Sequence, residues 1–293
     1  MIMLGRIIKG IAGFYYVYCD DTCTYECKAK GIFRKERVKP MVGDIVDIEI
    51  LSPDERLGNI TDLHDRKSEL IRPAVSNVDQ ALIVFALTQP EPNYLLLDKL
   101  LLQFLIRDLP TMICFNKEDL VREEETARVR DIYKGSGAQV FFTCATSHQG
   151  TDELKASLKG KLSCVAGPSG VGKSSLINCL QGREVMATGD ISRKLSRGKH
   201  TTRHSEIIPI DNDTFIMDTP GFSSFDVMGI DRGEVMEYYN EFRPYNECRF
   251  KPCTHIHEPG CAVKGAVEEG LINEDRYRNY IRIYNELKNL RRY

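Results

Sequence analysis

Apolar and polar residues alternate with a period of two early in the chain, and the texture changes further on. Val46, Ile48 and Ile50 alternate with Asp47 and Glu49, as in a strand with one buried face, and Phe14-Tyr15-Tyr16-Val17-Tyr18 reads as an aromatic strand. Pro40 and Gly43-Asp44 punctuate these runs with turns. Several short strands within residues 1–68 predict a small barrel of oligonucleotide-binding (OB) type. From residue 69 to about 230 the apolar runs become continuous. Ala81 to Leu87, Thr111 to Phe115, Val140 to Thr143 and Leu162 to Ala166 have the composition of parallel strands covered on both faces. Leu95 to Asp108 and Ser174 to Leu180 have helical length, and Phe215 to Met217 is a short strand that ends at Asp218. Residues 231–293 read as helical around a cysteine-rich loop, with a terminal helix over 271–293 bearing Arg276, Arg278, Arg282, Lys288, Arg291 and Arg292. The expected fold is a multidomain α/β chain: barrel, α/β domain over 69–230, helical domain over 231–293.

The chemistry sits at the ends of the expected strands, where open α/β sheets place their ligands. Gly167-Pro168-Ser169-Gly170-Val171-Gly172-Lys173-Ser174, followed by Ser175, satisfies G-x-x-x-x-G-K-S between a strand and a helix. Glycines let the backbone N–H groups turn inward around a phosphate, and the helix N-terminus adds partial positive charge. Lys173 can reach the outer phosphates, and the Ser174 hydroxyl can ligate Mg²⁺. This loop alone does not choose the base, and Gly-Pro-Ser-Gly before Gly-Lys-Ser is also similar to guanylate kinases. Asn116-Lys117-Glu118-Asp119, directly after a core strand, chooses guanine. A carboxylate at Asp119 accepts from guanine N1–H and its exocyclic amine, whereas adenine would leave it unpaired. Asn116 would brace the loop or read the base, and the Lys117 stem would pack over the ring. Thr143-Cys144-Ala145-Thr146 fits an auxiliary guanine loop. Asp218-Thr219-Pro220-Gly221 supplies the metal side: Asp218 would hold Mg²⁺ through a water, and the Gly221 N–H would sense the γ-phosphate. Gly198-Lys199-His200-Thr201-Thr202 lies in a polar, basic stretch that reads as a switch, with one of Thr201 and Thr202 a Mg²⁺ ligand. The order is base motif, phosphate loop, metal motif. It can assemble the usual site only in a circularly permuted P-loop GTPase domain.

Composition narrows the remaining possibilities. The net charge of -2 over 293 residues gives no whole-chain attraction to nucleic acid, so any basic surface must be local. Lys28, Lys30, Arg34, Lys35, Arg37 and Lys39 form such a stretch, with Phe33 inside it as a possible base-stacking ring; a solvated strand face is the plainer reading. The longest apolar stretch, Leu95 to Ile106, carries Asp98, Lys99 and Gln103 and is too short and charged to span a bilayer. A cytoplasmic protein is expected, with its ten cysteines as thiols or metal ligands. Cys248, Cys253, His255 and Cys261 offer three thiolates and an imidazole, a set suited to one tetrahedral structural Zn²⁺, with His257 as the alternative imidazole. Cys114, Cys164 and Cys179 read as core thiols, and Cys19, Cys23 and Cys27 recur every four residues without a nearby fourth ligand.

On Asn116 to Asp119, Gly167 to Ser175, Arg197 to Thr202, Asp218 to Phe222 and the Cys248 to Cys261 cluster, the chain resembles the bacterial ribosome small-subunit-dependent GTPase A family over essentially its whole length. The resemblance implies an OB-type barrel, a circularly permuted GTPase domain and a C-terminal helical zinc-binding domain. It further implies GTP/GDP, Mg²⁺ and one structural Zn²⁺ as ligands, and the 30S subunit with its 16S rRNA as partner, in late maturation of that subunit. No membrane partner and a monomeric chain are expected. Phe222 follows Asp-Thr-Pro-Gly where many GTPases carry a water-orienting Gln, so intrinsic turnover should be slow. His200 is the catalytic candidate, beside a group donated by the ribosome. Two other readings stay open: a GTP-dependent RNA-binding checkpoint with little hydrolysis, and a nucleotide kinase.

Overall fold

The computed structural model describes residues 1–30, 33, 38–71, 74–182, 206–218 and 230–290. The chain divides into two compact units, each discontinuous in sequence: Met1–Gln80, Glu153–Val165 and Ile177–Gly221 form one, and Ala81–Asp152, Ala166–Leu176 and Phe222–Tyr293 the other.

In the first unit, β1 (Ile2–Ile11), β2 (Phe14–Cys19), β3 (Thr24–Ala29), β4 (Ile45–Ser52) and β5 (Leu57–Leu63) close into a barrel in the order β1-β2-β3-β5-β4. This is the OB-like arrangement, and closure leaves no free sheet edge. The alternation read from the sequence decides the faces: Val46 and Ile48 are fully buried and Ile50 is half-buried, while Asp47 and Glu49, which alternate with them, reach partly into solvent. Ile7, Val17, Cys19, Tyr25, Cys27 and Ile60 complete the interior. Phe33 joins them at 6% exposure, which corrects its reading as a base-stacking ring: the barrel interior takes the apolar side chain, while Lys28, Lys30 and Lys39 stand exposed. A short hairpin, β6 (Glu69–Ile71) with β7 (Ala74–Ser76), follows. It is tied to the barrel by Asp44, which is fully buried and accepts from Ser76 Oγ at 2.6 Å and from Arg66 Nε at 2.7 Å.

The nucleotide fold is carried by β8 (Gln80–Ala86), β9 (Thr111–Asn116), β10 (Gln139–Thr143), β11 (Leu162–Ala166), β12 (Glu206–Pro209) and β13 (Phe215–Asp218), in the sheet order β10-β9-β8-β11-β13-β12. β8, β9 and β10 run parallel, as do β11 and β13, and β12 is antiparallel to β13. Every residue of β8 is buried, which explains its unbroken apolar run. The helices are α1 (Tyr94–Leu105), α2 (Glu123–Tyr133), α3 (Thr151–Leu158) and α4 (Lys173–Gln181). Asn93 caps α1 by accepting from Leu96 N at 3.0 Å. Asn116, Thr143, Ala166 and Asp218 are the last residues of their strands, so each suspected ligand motif begins at a carboxyl end.

In the second unit the C-terminal segment comprises two 3₁₀ helices, Arg232–Tyr238 and Asn240–Tyr245, then α5 (Ala262–Glu268) and α6 (Glu274–Leu290). In its core Tyr239 and Phe242 stack and Tyr280 meets both edge-on, with ring centroids 5.0–5.2 Å apart, and Leu102 of α1 belongs to the same cluster. Arg276 shares the buried stripe of α6 with Tyr280, Ile283 and Leu287, at helical spacing. Its guanidinium is 2% exposed, donates to Glu241 Oε1 at 2.7 Å and to Asp98 of α1, and lies 4.6 Å over the Tyr239 ring. Asn279 donates to the other Asp98 oxygen at 2.8 Å. Arg276 is therefore a structural cation and leaves the basic surface expected of this helix, on which Arg278 and Arg282 are exposed and Arg291 and Arg292 lie outside the described residues. Burial works against the Arg276 charge, but Asp98 and Glu241 outweigh it and hold the group charged. Among the described residues, no helix is long and apolar enough to cross a membrane.

Removing one partner of this buried pair strands the other. Asp98→Ala is expected to cost about 3–5 kcal/mol of unfolding free energy, measured by denaturant titration of tyrosine fluorescence. A loss under about 1 kcal/mol, the scale of a surface pair, would show that the pair is not what fastens α6 to α1.

Candidate functional site

Within the second unit, the phosphate loop and the base-reading motif are built against each other. β11 ends at Ala166, and the chain turns through Gly167 with φ +144 and Gly172 with φ +92 before entering α4. Both glycines are also sterically required: a Cβ on Gly167 would overlap the Val84 carbonyl oxygen, and one on Gly172 would overlap the Asn116 side-chain nitrogen. Val171 is buried and anchors the loop, while Ser169 and Gly170 are exposed. The Lys173 ammonium donates to the carbonyls of Gly167 at 2.8 Å and Pro168 at 2.7 Å, which holds it over the loop. Ser174 and Ser175 occupy the first turn of α4 and are partly exposed.

Asn116 is 2% exposed, and its carboxamide meets three segments. Nδ2 donates to the Val171 carbonyl at 3.0 Å, and Oδ1 accepts from Thr143 Oγ1 at 3.3 Å and from Ala145 N at 3.2 Å. Of the two roles open from sequence, Asn116 takes the brace. It joins the phosphate loop to Thr143-Cys144-Ala145-Thr146, and the Ala145 N–H is the donor it uses there. Lys117 takes a left-handed conformation, φ +64, that swings its ammonium across to Gly170 O at 2.9 Å and to Gln89 O. Glu118 and Asp119 then open a 3₁₀ turn, with Glu118 accepting from Gln149 at 3.3 Å and Asp119 exposed. The Asp119 carboxylate is thus left open to solvent beside a rigid frame. Gln89 was missed in the sequence. It contributes a backbone carbonyl, which no side-chain pattern reports.

Asp218 closes β13 and is partly buried. Thr219, Pro220, Gly221 and Phe222, and with them His200, Thr201 and Thr202, lie outside the described residues.

Cys248, Cys253, His255 and Cys261 are all buried, and their ligand atoms lie within 4.8 Å of one another. Cys248 Sγ is 3.8 Å from Cys261 Sγ and 3.5 Å from His255 Nδ1, and His255 Nδ1 is 3.4 Å from Cys261 Sγ. A tetrahedron with Zn–S bonds of about 2.3 Å has S···S edges of about 3.8 Å, so the cluster is consistent with zinc. His257 is exposed and stands outside it. Burial pushes the Cys253 thiol up to about 12 and also raises Cys261. At Cys248 burial is outweighed by backbone donors from Ala262 and Val263 and by its thiol neighbours, which hold it below its ordinary value. A divalent cation would draw the remaining protons off. The loop is held from outside by groups the sequence reading missed. Tyr277 and Tyr280 hydroxyls donate to the carbonyls of His255 and Thr254, each at 2.6 Å. Glu258 accepts from Thr254 N at 2.9 Å and Thr254 Oγ1 at 2.7 Å; these and the Ile256 N–H overcome burial and hold its carboxyl down at about 2. Tyr277 and Tyr280 at i, i+3 on an amphipathic helix were the available signal. Cys19, Cys27 and Cys114 are buried thiols pushed up to about 12 by burial, and among the described residues only the C-terminal set forms a metal-sized cluster.

On the barrel, Ala12 to Tyr15, Lys28 to Lys30 and Val38 to Pro40 surround a hollow of about 610 Å³. Lys28 lies 5.1 Å over the Phe14 ring, so Lys28, Lys30 and Lys39 and the half-buried rings of Phe14 and Tyr15 on β2 border one concavity. Arg34, Lys35 and Arg37 lie outside the described residues.

Metal analysis tests the ligand set directly. One zinc per chain is expected in the wild type and in His257→Ala, and none in Cys261→Ser or His255→Ala. Loss of metal from His257→Ala alone would move the imidazole ligand to that residue.

Comparison with known proteins places this geometry in a family. Residues 63–228 match the RsgA GTPase family, and residues 4–58 match the RsgA N-terminal domain. A small ribosomal subunit biogenesis GTPase RsgA of Agathobacter rectalis is 52% identical over 302 residues, covering 99% of this chain and 100% of that protein. Its counterpart in Alkaliphilus metalliredigens is 43% identical over 290 residues, covering 99% of each. The crystal structure of YjeQ from Thermotoga maritima superposes with a TM-score of 0.76 at 34% identity, covering 98% of this chain and 99% of that one. That of YloQ, a circularly permuted GTPase, gives 0.75 at 32%, covering 99% and 96%. An OB-like barrel, guanine and phosphate motifs in permuted order on parallel strand ends, and a buried Cys₃His cluster thus occur together in a chain that belongs to the RsgA family of circularly permuted GTPases.

Proposed function

We propose that this GTPase engages the small ribosomal subunit and couples GTP hydrolysis to a late step in the maturation of that subunit. The observation that carries the reading is Asn116, whose single amide locks the guanine motif to the phosphate loop. Asp119 reads the base, Lys117 backs it, and the Gly167–Ser175 loop with Lys173 binds the phosphates. Ser174 and Asp218 would hold Mg²⁺, which supplies charge neutralisation at the β- and γ-phosphates. Thr201 or Thr202 would complete the metal shell, Gly221 would report the γ-phosphate, and His200 would help position water. Residues 1–68, 69–230 and 231–293 then act as barrel, nucleotide domain and zinc-binding domain of a cytoplasmic monomer.

Three features support RNA of the subunit as the partner. The relatives are named for small-subunit biogenesis, the barrel hollow is rimmed by Lys28, Lys30 and Lys39, and Arg278 and Arg282 are exposed on α6. A net charge of -2 makes such local patches necessary. A second reading, a checkpoint that binds RNA in the GTP state with little hydrolysis, is favoured by Phe222 in the position after Asp-Thr-Pro-Gly. A nucleotide kinase is disfavoured by Asn116 and Asp119, which such an enzyme has no use for.

GTP turnover by the zinc-loaded chain, alone and with isolated 30S or 50S subunits, separates these readings. The proposal expects slow hydrolysis alone and strong stimulation by 30S only. Slow turnover unaffected by 30S, with GTP-dependent 30S binding, would favour the checkpoint, and phosphate transfer to GMP would favour the kinase. A second prediction concerns the base. Asp119→Asn replaces an acceptor by a donor opposite the 2-substituent, so affinity should move from guanosine to xanthosine nucleotides by about a hundredfold or more. Unchanged guanine preference in competition binding would remove Asp119 from base reading.

A further inference from the structure

Among the described residues Phe250 is the only aromatic side chain that stands exposed, at 46%; every other described Phe or Tyr is buried or half-buried. It does not lack a core to join, because Tyr239, Phe242 and Tyr280 of the same segment are packed together inside. Its position is fixed from both sides. Cys248 and Cys253, two residues before it and three after it, are buried members of the metal cluster. The intervening Arg249 N–H donates to the Gly260 carbonyl at 3.3 Å, tying the tip across the loop. An aromatic ring is thus presented to solvent on a stapled backbone, at little further ordering cost on binding.

Its surroundings are cationic. Arg249 and Lys251 flank the ring and are exposed, with the Arg249 guanidinium 5.6 Å from the ring centroid. From Arg243 to Lys251 the exposed charged residues are Arg243, Arg249 and Lys251 against Glu247 alone. A flat apolar face bracketed by positive charge complements a base with a phosphate on either side, whereas an apolar protein surface would have no use for the two cations.

We propose that Arg249-Phe250-Lys251, the tip of the metal loop, is a stacking platform for an unpaired nucleobase of RNA, with the two cations taking the flanking phosphates. The proposal rests on the reading that RNA of the small subunit is the partner, and it names a contact made by the C-terminal segment itself. The ring offers only its face, so it accepts any base.

The test uses the zinc-loaded full chain and three probes: an unstructured oligoribonucleotide, the same backbone with abasic positions, and isolated 30S subunits. Wild type should prefer the base-bearing strand. Phe250→Ala should lose that preference by about fivefold or more, the scale of one stacked base, and Phe250→Trp should keep it. Lys251→Ala should weaken both strands equally and flatten the salt dependence by about one counterion. Equal metal content in all variants shows that the loop is folded. Absence of any base preference in wild type, or an unchanged preference in Phe250→Ala, overturns the platform. Loss of 30S affinity in Phe250→Ala with no change on the oligoribonucleotide also overturns it, because the ring would then dock on protein. A wild type that ignores 30S yet shows Phe250-dependent base preference leaves the platform standing and defeats the ribosomal reading.

Discussion

The carboxamide of Asn116 is the contact on which the nucleotide site depends. It is buried, so each of its bonds must be made within the protein or carry a desolvation cost of about 1–3 kcal/mol. Its partners lie 55 residues downstream in the phosphate loop and about 28 downstream at the end of β10. A residue that belongs to the guanine motif by sequence therefore sets the shape of the phosphate loop. Gly172 follows from it, because the Asn116 nitrogen occupies the space a Cβ would need. Lys117 repeats the same join one residue later, through Gly170. Chain order is free to be permuted because these bonds, not covalent neighbours, specify the site.

How much of this the sequence carried depended on where each signal was local. Strands buried on both faces, such as Gln80–Ala86, announced themselves as apolar runs, and the phosphate loop and guanine motif were legible because their backbone demands fix residue types at fixed spacing. The metal cluster was legible for the same reason, down to His255 in preference to the exposed His257. Direction of a side chain was not. Phe33 sits among lysines, yet it points into the barrel, and Arg276 sits among exposed arginines, yet it is buried against Asp98. Both outcomes are decided by packing partners far away in sequence, which composition cannot see. The Gln89 carbonyl was invisible because a backbone acceptor leaves no mark on residue type.

The C-terminal segment shows a division of labour between metal and side chains. Four ligands could draw the loop together, but Tyr277, Tyr280 and Glu258 hold its carbonyls and amides independently of any cation. Such outer bonds orient the ligands and limit the conformations available to the loop without metal. They also join it to α6, where Tyr280 packs its ring against Tyr239 and Tyr284 as well.

α1 links these two regions in a different sense. Its first turn follows the short segment whose Gln89 carbonyl receives the Lys117 ammonium, and its second turn carries Asp98, the buried partner of Arg276 and Asn279. The backbone amides of α1 thus lie between the Lys117 contact and the C-terminal helix, and their hydrogen exchange is the observable that reports local opening beside either one.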